Sequence, residues 1–271
     1  MSNLQLRVLS AVVMAALVLA VTFWGGLPAR LLAAALAVAM LHEWLAMVRG
    51  GVDRRLVALA FVALLAAMAP MVFGLGAAVA FATLGVGLAV VLVAARVLEQ
   101  GTAAGSGLVY AALSGLSLGY LRGDDHAGLV AILFLFAVVW STDVLAYFVG
   151  RSLGGPKLAP AISPGKTWSG ALGGAAGGVL GGLLLAAAAG VGPLPLLGLV
   201  ALLLSMVAQA GDLFESAIKR RNGVKDSGNL IPGHGGVMDR VDGLVAAAIA
   251  LYLIGWLLAG ADLPAHGLFL P

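Results

Sequence analysis

The sequence predicts an all-α polytopic membrane protein of about nine transmembrane helices, N-terminus inside and C-terminus outside. Three observations predict it. The 271 residues are 62% hydrophobic and only 10% charged, against about 25% charged in an ordinary soluble domain, and the mean hydropathy is +1.10. Apolar runs of span length recur from end to end. The basic residues fall on one side when nine spans are drawn. Together these exclude a cytosolic enzyme, a secreted disulfide scaffold and a disordered chain. There is no cysteine, which excludes disulfides, thiolate zinc sites, iron–sulfur clusters and cysteine nucleophiles.

Spans are expected near 8–24, 31–48, 57–73, 76–95, 106–121, 128–149, 168–190, 192–210 and 243–260. The first follows a short tail carrying Arg7. Its apolar run is too long for a typical signal-peptide core, so it reads as an uncleaved helix. The second carries His42 and Glu43 near its cytoplasmic end, where they are expected to satisfy each other or to snorkel to the interface. The fifth is rich in Gly and Ser. The sixth contains Asp143, a carboxylate that is costly in a span unless paired or metal-bound. The seventh carries Gly170, Gly174, Gly178 and Gly182 at intervals of four, a small-residue face that packs a neighbouring helix or forms a dimer seam. The Trp and Tyr residues mostly flank span ends, as an aromatic belt does. His126 and His266 fall in outside segments and are expected to be solvated.

Charge tests the count. With nine spans, the inside segments hold Arg7, Arg49, Arg54, Arg55, Arg96, Arg151, Lys157, Lys166, Lys219, Arg220, Arg221, Lys225 and Arg240, and the outside segments hold only Arg30 and Arg122. Basic residues collect on the cytoplasmic side, and a span added or removed would scramble the split. Residues 1–105 are bland apolar helices, expected to be scaffold. Residues 106–271 carry two charged loops expected on the cytoplasmic side, 150–167 and 211–242, too polar and too long to be mere connectors, and are expected to be the functional, catalytic region.

The loop chemistry is specific. If the eighth helix runs on into the cytosol, Asp212, Glu215, Ser216 and Lys219 share one face. Asn222-Gly223 then stops it. Asp239 and Asp242, three apart, share a face at the start of the ninth helix. Carboxylates at helix ends suit Mg²⁺, which takes one or two carboxylates and then substrate phosphates. Lys219, Arg220, Lys225, Arg240 and the N–H groups of the turn around Gly235 and Gly236 are phosphate binders. Metal carboxylates beside phosphate-binding cations are the layout of phosphoryl or nucleotidyl transfer. A basic loop attracted to lipid headgroups would explain the cations, but not five acidic residues, Asp212, Glu215, Asp226, Asp239 and Asp242, in the same stretch.

Two blocks carry a resemblance. The first is Ser216-Ala217-Ile218-Lys219-Arg220, then Lys225-Asp226, Gly228, Ile231-Pro232, His234-Gly235-Gly236, Asp239-Arg240 and Val241-Asp242. The second, upstream, is Ser141-Thr142-Asp143, Ala146-Tyr147, Gly150-Arg151, Lys157-Leu158, Pro160, Ile162-Ser163-Pro164 and Lys166-Thr167-Trp168. The chain thereby resembles the phosphatidate cytidylyltransferases. The resemblance is strong over the C-terminal half and is one of hydropathy alone before it. After Trp168 that family usually has Glu-Gly, where this chain has Ser169-Gly170.

The resemblance implies that CTP and phosphatidic acid give CDP-diacylglycerol and pyrophosphate in phospholipid biosynthesis. It also implies a two-metal site with Mg²⁺ and a second cation such as K⁺. Asp212 and Asp239 match the family's metal-binding carboxylates, and Asp143 is a third candidate ligand. Lys219, Arg220, Lys225, Asp226, His234, Arg240 and Asp242 are the expected catalytic set, with Asp226 and Asp242 open to outer or second-cation roles. Arg151, Lys157, Lys166, Ser216, Gly235 and Gly236 are expected to bind substrate. His234 is either a general acid for the leaving group or a turn residue bonded to backbone. Expected partners are the two substrates and the bilayer of the inner membrane, with a homodimer as an option and no nucleic acid. The rival classes are a membrane prenyltransferase, a CTP-dependent lipid kinase and an ion-coupled transporter. The transporter lacks support because residues 1–105 have no counterpart of 211–242.

Overall fold

The computed structural model describes residues 3–48, 51–231 and 235–270, with side chains from residue 12 onward. Nine α-helices occur among these residues: α1 (Asn3–Trp24), α2 (Gly26–Met47), α3 (Arg54–Val72), α4 (Ala77–Val97), α5 (Ala103–Arg122), α6 (His126–Leu153), α7 (Trp168–Ala189), α8 (Leu194–Arg221) and α9 (Met238–Ala259). A two-stranded antiparallel hairpin, β1 (Lys157–Ala159) and β2 (Ser163–Thr167), separates α6 from α7, and a single 3₁₀ turn follows α9 at Pro264–Gly267. Helices α2 to α9 are long and apolar enough to cross a membrane, and the chain is a multi-pass membrane protein.

The helices divide into two compact units, one of residues 1–120 with 221–240, the other of residues 121–220 with 241–271. In the first, glycines let α5 close on its neighbours. A Cβ at Gly115 would stand 2.9 Å from Ala37 Cβ of α2 and 3.1 Å from Met68 Sδ of α3. Trp44 of α2 is tied to the start of α5 by an Nε1–H bond to Ala103 O (3.0 Å), and its ring leans on Tyr110 at 5.5 Å. An indole with its N–H satisfied can be buried at little cost.

In the second unit the glycine face of α7 lies against α6. A Cβ at Gly170 would meet Ala146 O at 2.8 Å, and one at Gly174 would meet Thr142 O at 2.9 Å. Close backbone approach is what a small-residue face provides. The opposite face of α7 presents Leu172, Leu180 and Leu184, all exposed, as a lipid-facing surface requires. The glycine face is therefore spent inside the chain, which corrects the alternative of a dimer seam on it. A buried pair, Thr142 and Ser205 hydroxyls 2.7 Å apart, joins α6 to α8. Thr142 Oγ1 also donates to Val138 O (2.8 Å) within its own helix.

Two helices outrun their expected spans. α6 continues to Leu153 and α8 to Arg221. Beyond the apolar part, α8 is held by polar pairs spaced four apart: Ser216 Oγ donates to Asp212 Oδ1 (3.3 Å), and Lys219 Nζ donates to Glu215 Oε1 (2.9 Å). The loop expected over 150–167 is in part the end of α6 and in part the hairpin.

Candidate functional site

Each unit carries part of the predicted chemistry. In the unit of residues 121–220 with 241–271, the C-terminal end of α6, the hairpin, the first turn of α7 and the Gln209–Asp212 part of α8 line a cavity of about 730 Å³. Five predicted site residues line it: Asp143, Arg151, Lys157, Lys166 and Asp212. They are brought together from 70 positions of sequence by ordinary devices. Asp143, Tyr147 and Arg151 follow one another at intervals of four on α6 and so share a face. Arg151 Nη1 donates to Tyr147 Oη (2.7 Å), which holds the guanidinium against the wall. Pairing of Lys157 with Thr167 aligns the hairpin and presents Lys166 on β2. Thr167 caps α7 by accepting from Gly170 N (3.1 Å).

Ser169, at the family's usual Glu position, has a bonded role of its own. Its Oγ donates to Gly154 O and lies 3.0 Å from Thr167 Oγ1. It fastens the end of α6 to the start of α7.

Lys166 Nζ forms an ion pair with Asp212 Oδ2. Asp143, Asp212 and Asp242 are near enough to act on one another electrostatically, with Lys219 beside Asp242. Asp242 Oδ1 accepts from Gly243 N (2.8 Å). α9 comes close to α8 here, since a Cβ at Gly211 would stand 2.9 Å from Asp242 O. Among the described residues, no three His, Asp or Glu side chains stand close enough to hold one metal ion together. Two of them, Asp143 of α6 and Asp212 of α8, are hard oxygen donors lining one cavity, the donor chemistry Mg²⁺ accepts when phosphates complete its shell. Lys219 does not line the cavity, its ammonium being buried on Glu215. Arg220 is exposed at the end of α8. Gln209, which sequence reasoning passed over, lines the cavity and donates to Ala171 O (3.3 Å). Its signal was an amide in an otherwise apolar run.

The unit of residues 1–120 with 221–240 holds the rest of the signature. Asp239, in the first turn of α9, turns back on the segment before it. Its Oδ2 accepts from Ser227 N (2.9 Å), Ser227 Oγ (3.0 Å) and Gly236 N (2.9 Å). Gly235 pairs with Ile231, whose N–H donates to Gly235 O (2.9 Å), and takes a φ of +85° that favours glycine. Lys225, Asp226 and Arg240 are exposed. His234 lies outside the described residues, so its two expected roles stand as they were.

Glu43 is the larger surprise. It neither pairs with His42 nor snorkels. It is 1% exposed and accepts from Val237 N (2.7 Å), Met238 N (2.8 Å) and Ser227 Oγ (2.9 Å). His42 is exposed. His266 also departs from expectation: it is half-buried and bonded to Asp125, the residue that caps α6 by accepting from Gly128 N (2.9 Å). Burial acts to raise the Asp125 carboxyl, but the bonds from His266 and Gly128, with the charges of His266 and Arg122, outweigh it and hold the group below its ordinary value.

Comparison with known proteins comes to the same chemistry. Residues 5–258 match the cytidylyltransferase family. A protein of Brucella suis named phosphatidate cytidylyltransferase is 50% identical over 269 residues, covering 97% of each chain. Proteins of the same name from Haemophilus influenzae and Bacillus subtilis are 42% and 44% identical over 137 and 136 residues, about half of each chain.

Proposed function

The chain belongs to the cytidylyltransferase family, and we infer that it transfers the cytidylyl group of CTP to phosphatidic acid, forming CDP-diacylglycerol for phospholipid synthesis. The observation that carries the mechanism is the cavity that sets two carboxylates, Asp143 and Asp212, among three cations, Arg151, Lys157 and Lys166. An oxygen of the lipid phosphate attacks the α-phosphorus of CTP. The bond from that phosphorus to the bridging oxygen of the β-phosphate breaks, and pyrophosphate leaves. The lipid phosphate is already anionic at neutral pH, so the barrier is repulsion between two anions more than lack of a base.

Lys166, Arg151 and Lys157 answer that repulsion. They hold the triphosphate at fixed positions and stabilise charge on departing pyrophosphate in a site partly screened from water. Lys166, which is ion-paired with Asp212, is the cation that turns to phosphate when nucleotide enters. Asp143 and Asp212 would hold Mg²⁺, which supplies charge neutralisation at the α-phosphate. Asp239 keeps the metal-binding role of the family pattern, with Oδ2 committed to its own segment. Lys219 serves as a fixed charge beside Asp242. Arg220, Lys225 and Arg240 are phosphate ligands by the same pattern, as are Ser216, Gly235 and Gly236, and Asp226 and His234 are reaction candidates. The K⁺ role rests on the family pattern alone.

The charge split supports an N-terminus and charged segments on the cytoplasmic face, the side where CTP is found, with the inner membrane as the proposed location. Purified protein in phospholipid nanodiscs tests the reading. Labelled CTP is expected to release pyrophosphate only when phosphatidic acid is present, with label entering lipid in equal amount. Release independent of phosphatidic acid, or no label in lipid, would overturn it.

A further inference from the structure

A carboxylate buried in an apolar helix is costly unless every lone pair of consequence is met. Glu43 meets that condition through residues 184 to 195 positions away. Val237 N and Met238 N are donors at the start of α9, where N–H groups have no partner inside the helix and the helix dipole favours an anion. The third donor, Ser227 Oγ, lies between two carboxylates, 2.9 Å from Glu43 Oε2 and 3.0 Å from Asp239 Oδ2. Its single proton serves one of them at a time.

The glycines of the segment independently mark the same spot. A Cβ at Gly228 would stand 3.0 Å from Glu43 Oε1, and one at Gly236 would stand 2.6 Å from Glu43 Oε2. Any side chain at either position would press on this carboxylate.

We propose that Glu43 is a positioning residue for cytidylyl transfer: from α2 it fixes the backbone of 227–239, and through Ser227 it fixes the carboxylate of Asp239. The proposal rests on the reading that this segment serves the transfer. All three groups on Glu43 are donors, so the isosteric Glu43→Gln is a sharp probe. It keeps the volume, removes the charge, and turns one acceptor oxygen into an NH₂ aimed at a donor. Glu43→Asp keeps both acceptors and retracts them by one methylene.

The test uses the full-length enzyme in nanodiscs containing phosphatidic acid. Glu43→Gln is expected to lower kcat by about 10- to 100-fold, the usual range for a group that orients a reacting ligand. KM for CTP and the thermal midpoint should stay near wild type. Amide hydrogen exchange should quicken over 227–239 and not over α6 and α7. Glu43→Asp should recover part of kcat, and Ser227→Ala added to Glu43→Gln should cost little more, since both break one chain of bonds. The proposal is overturned if Glu43→Gln turns over like wild type, if activity falls only as the protein unfolds, or if exchange over 227–239 is unchanged. If wild type itself makes no CDP-diacylglycerol, the functional reading is what has failed, and the exchange data alone then decide whether Glu43 holds the segment.

Discussion

Asp212 and Glu43 are both carboxylates in membrane helices, and their surroundings prepare them for opposite work. Asp212 opens on a cavity and is held there by a lysine and a serine. The lysine is a flexible point charge that can leave for a phosphate. Glu43 is sealed off and is held by two backbone N–H groups fixed at the start of α9, with a hydroxyl it shares with Asp239. A carboxylate that must accept a ligand needs partners able to let go. One that must hold a segment needs partners that cannot.

That contrast can be broken in order of expected effect. Asp212→Asn should lower turnover by about 10³-fold, in the range for loss of an electrostatic stabiliser at the reacting charge, with yield and thermal midpoint unchanged. Loss of folding instead would make Asp212 a structural group. Lys166→Met should cost about 10²-fold on the same reasoning and raise KM for CTP, as steady-state kinetics at varied CTP will show. Gly174→Leu should act on folding and not on chemistry. Its side chain would be driven into Thr142 O and Ala146 Cβ, both 2.9 Å from the position of the Cβ alone, and overpacking of this kind costs about 1–3 kcal/mol or more. The thermal midpoint of detergent-purified protein measures it.

The smallest effect belongs to Asp125. Its pKa is depressed in the folded state, so it contributes stability above its unfolded pKa, and that contribution is lost as pH falls through the lower folded value. Asp125→Asn keeps a capping side chain but loses the charge. The variant should melt slightly below wild type at pH 7, and the two should converge in strong acid. A gap that widened in acid would contradict the cause assigned.

The spans were legible because a run of about 20 apolar residues has few alternatives, and α2 to α9 each contain their expected span or nearly so. The end of α6 was not, because it continues on a polar pair that hydropathy ignores, whereas the end of α8 was read from Asn222-Gly223 and falls at Arg221. The hairpin was missed because Lys157–Ala159 and Ser163–Thr167 are short and lack alternation. In the site, Asp143, Arg151, Lys157, Lys166 and Asp212 were found from residue type and meet at one cavity. Glu43 was not found because its partners are remote in sequence, although the rule that drew attention to Asp143, a charge inside a span, applied to it equally. Spacing reports neighbours along a helix, and only the folded chain reports a bond across 195 positions.

The most direct test of the whole account is where the nucleotide sits. Irradiation of the purified protein with 4-thio-CTP, followed by peptide mapping, should label residues within 143–171 of α6, the hairpin and α7, or the α8 segment from 209 to 212. CTP in excess should abolish the label. Labelling that CTP displaces but that falls only within helices α1 to α4 would contradict the assignment of this cavity to CTP.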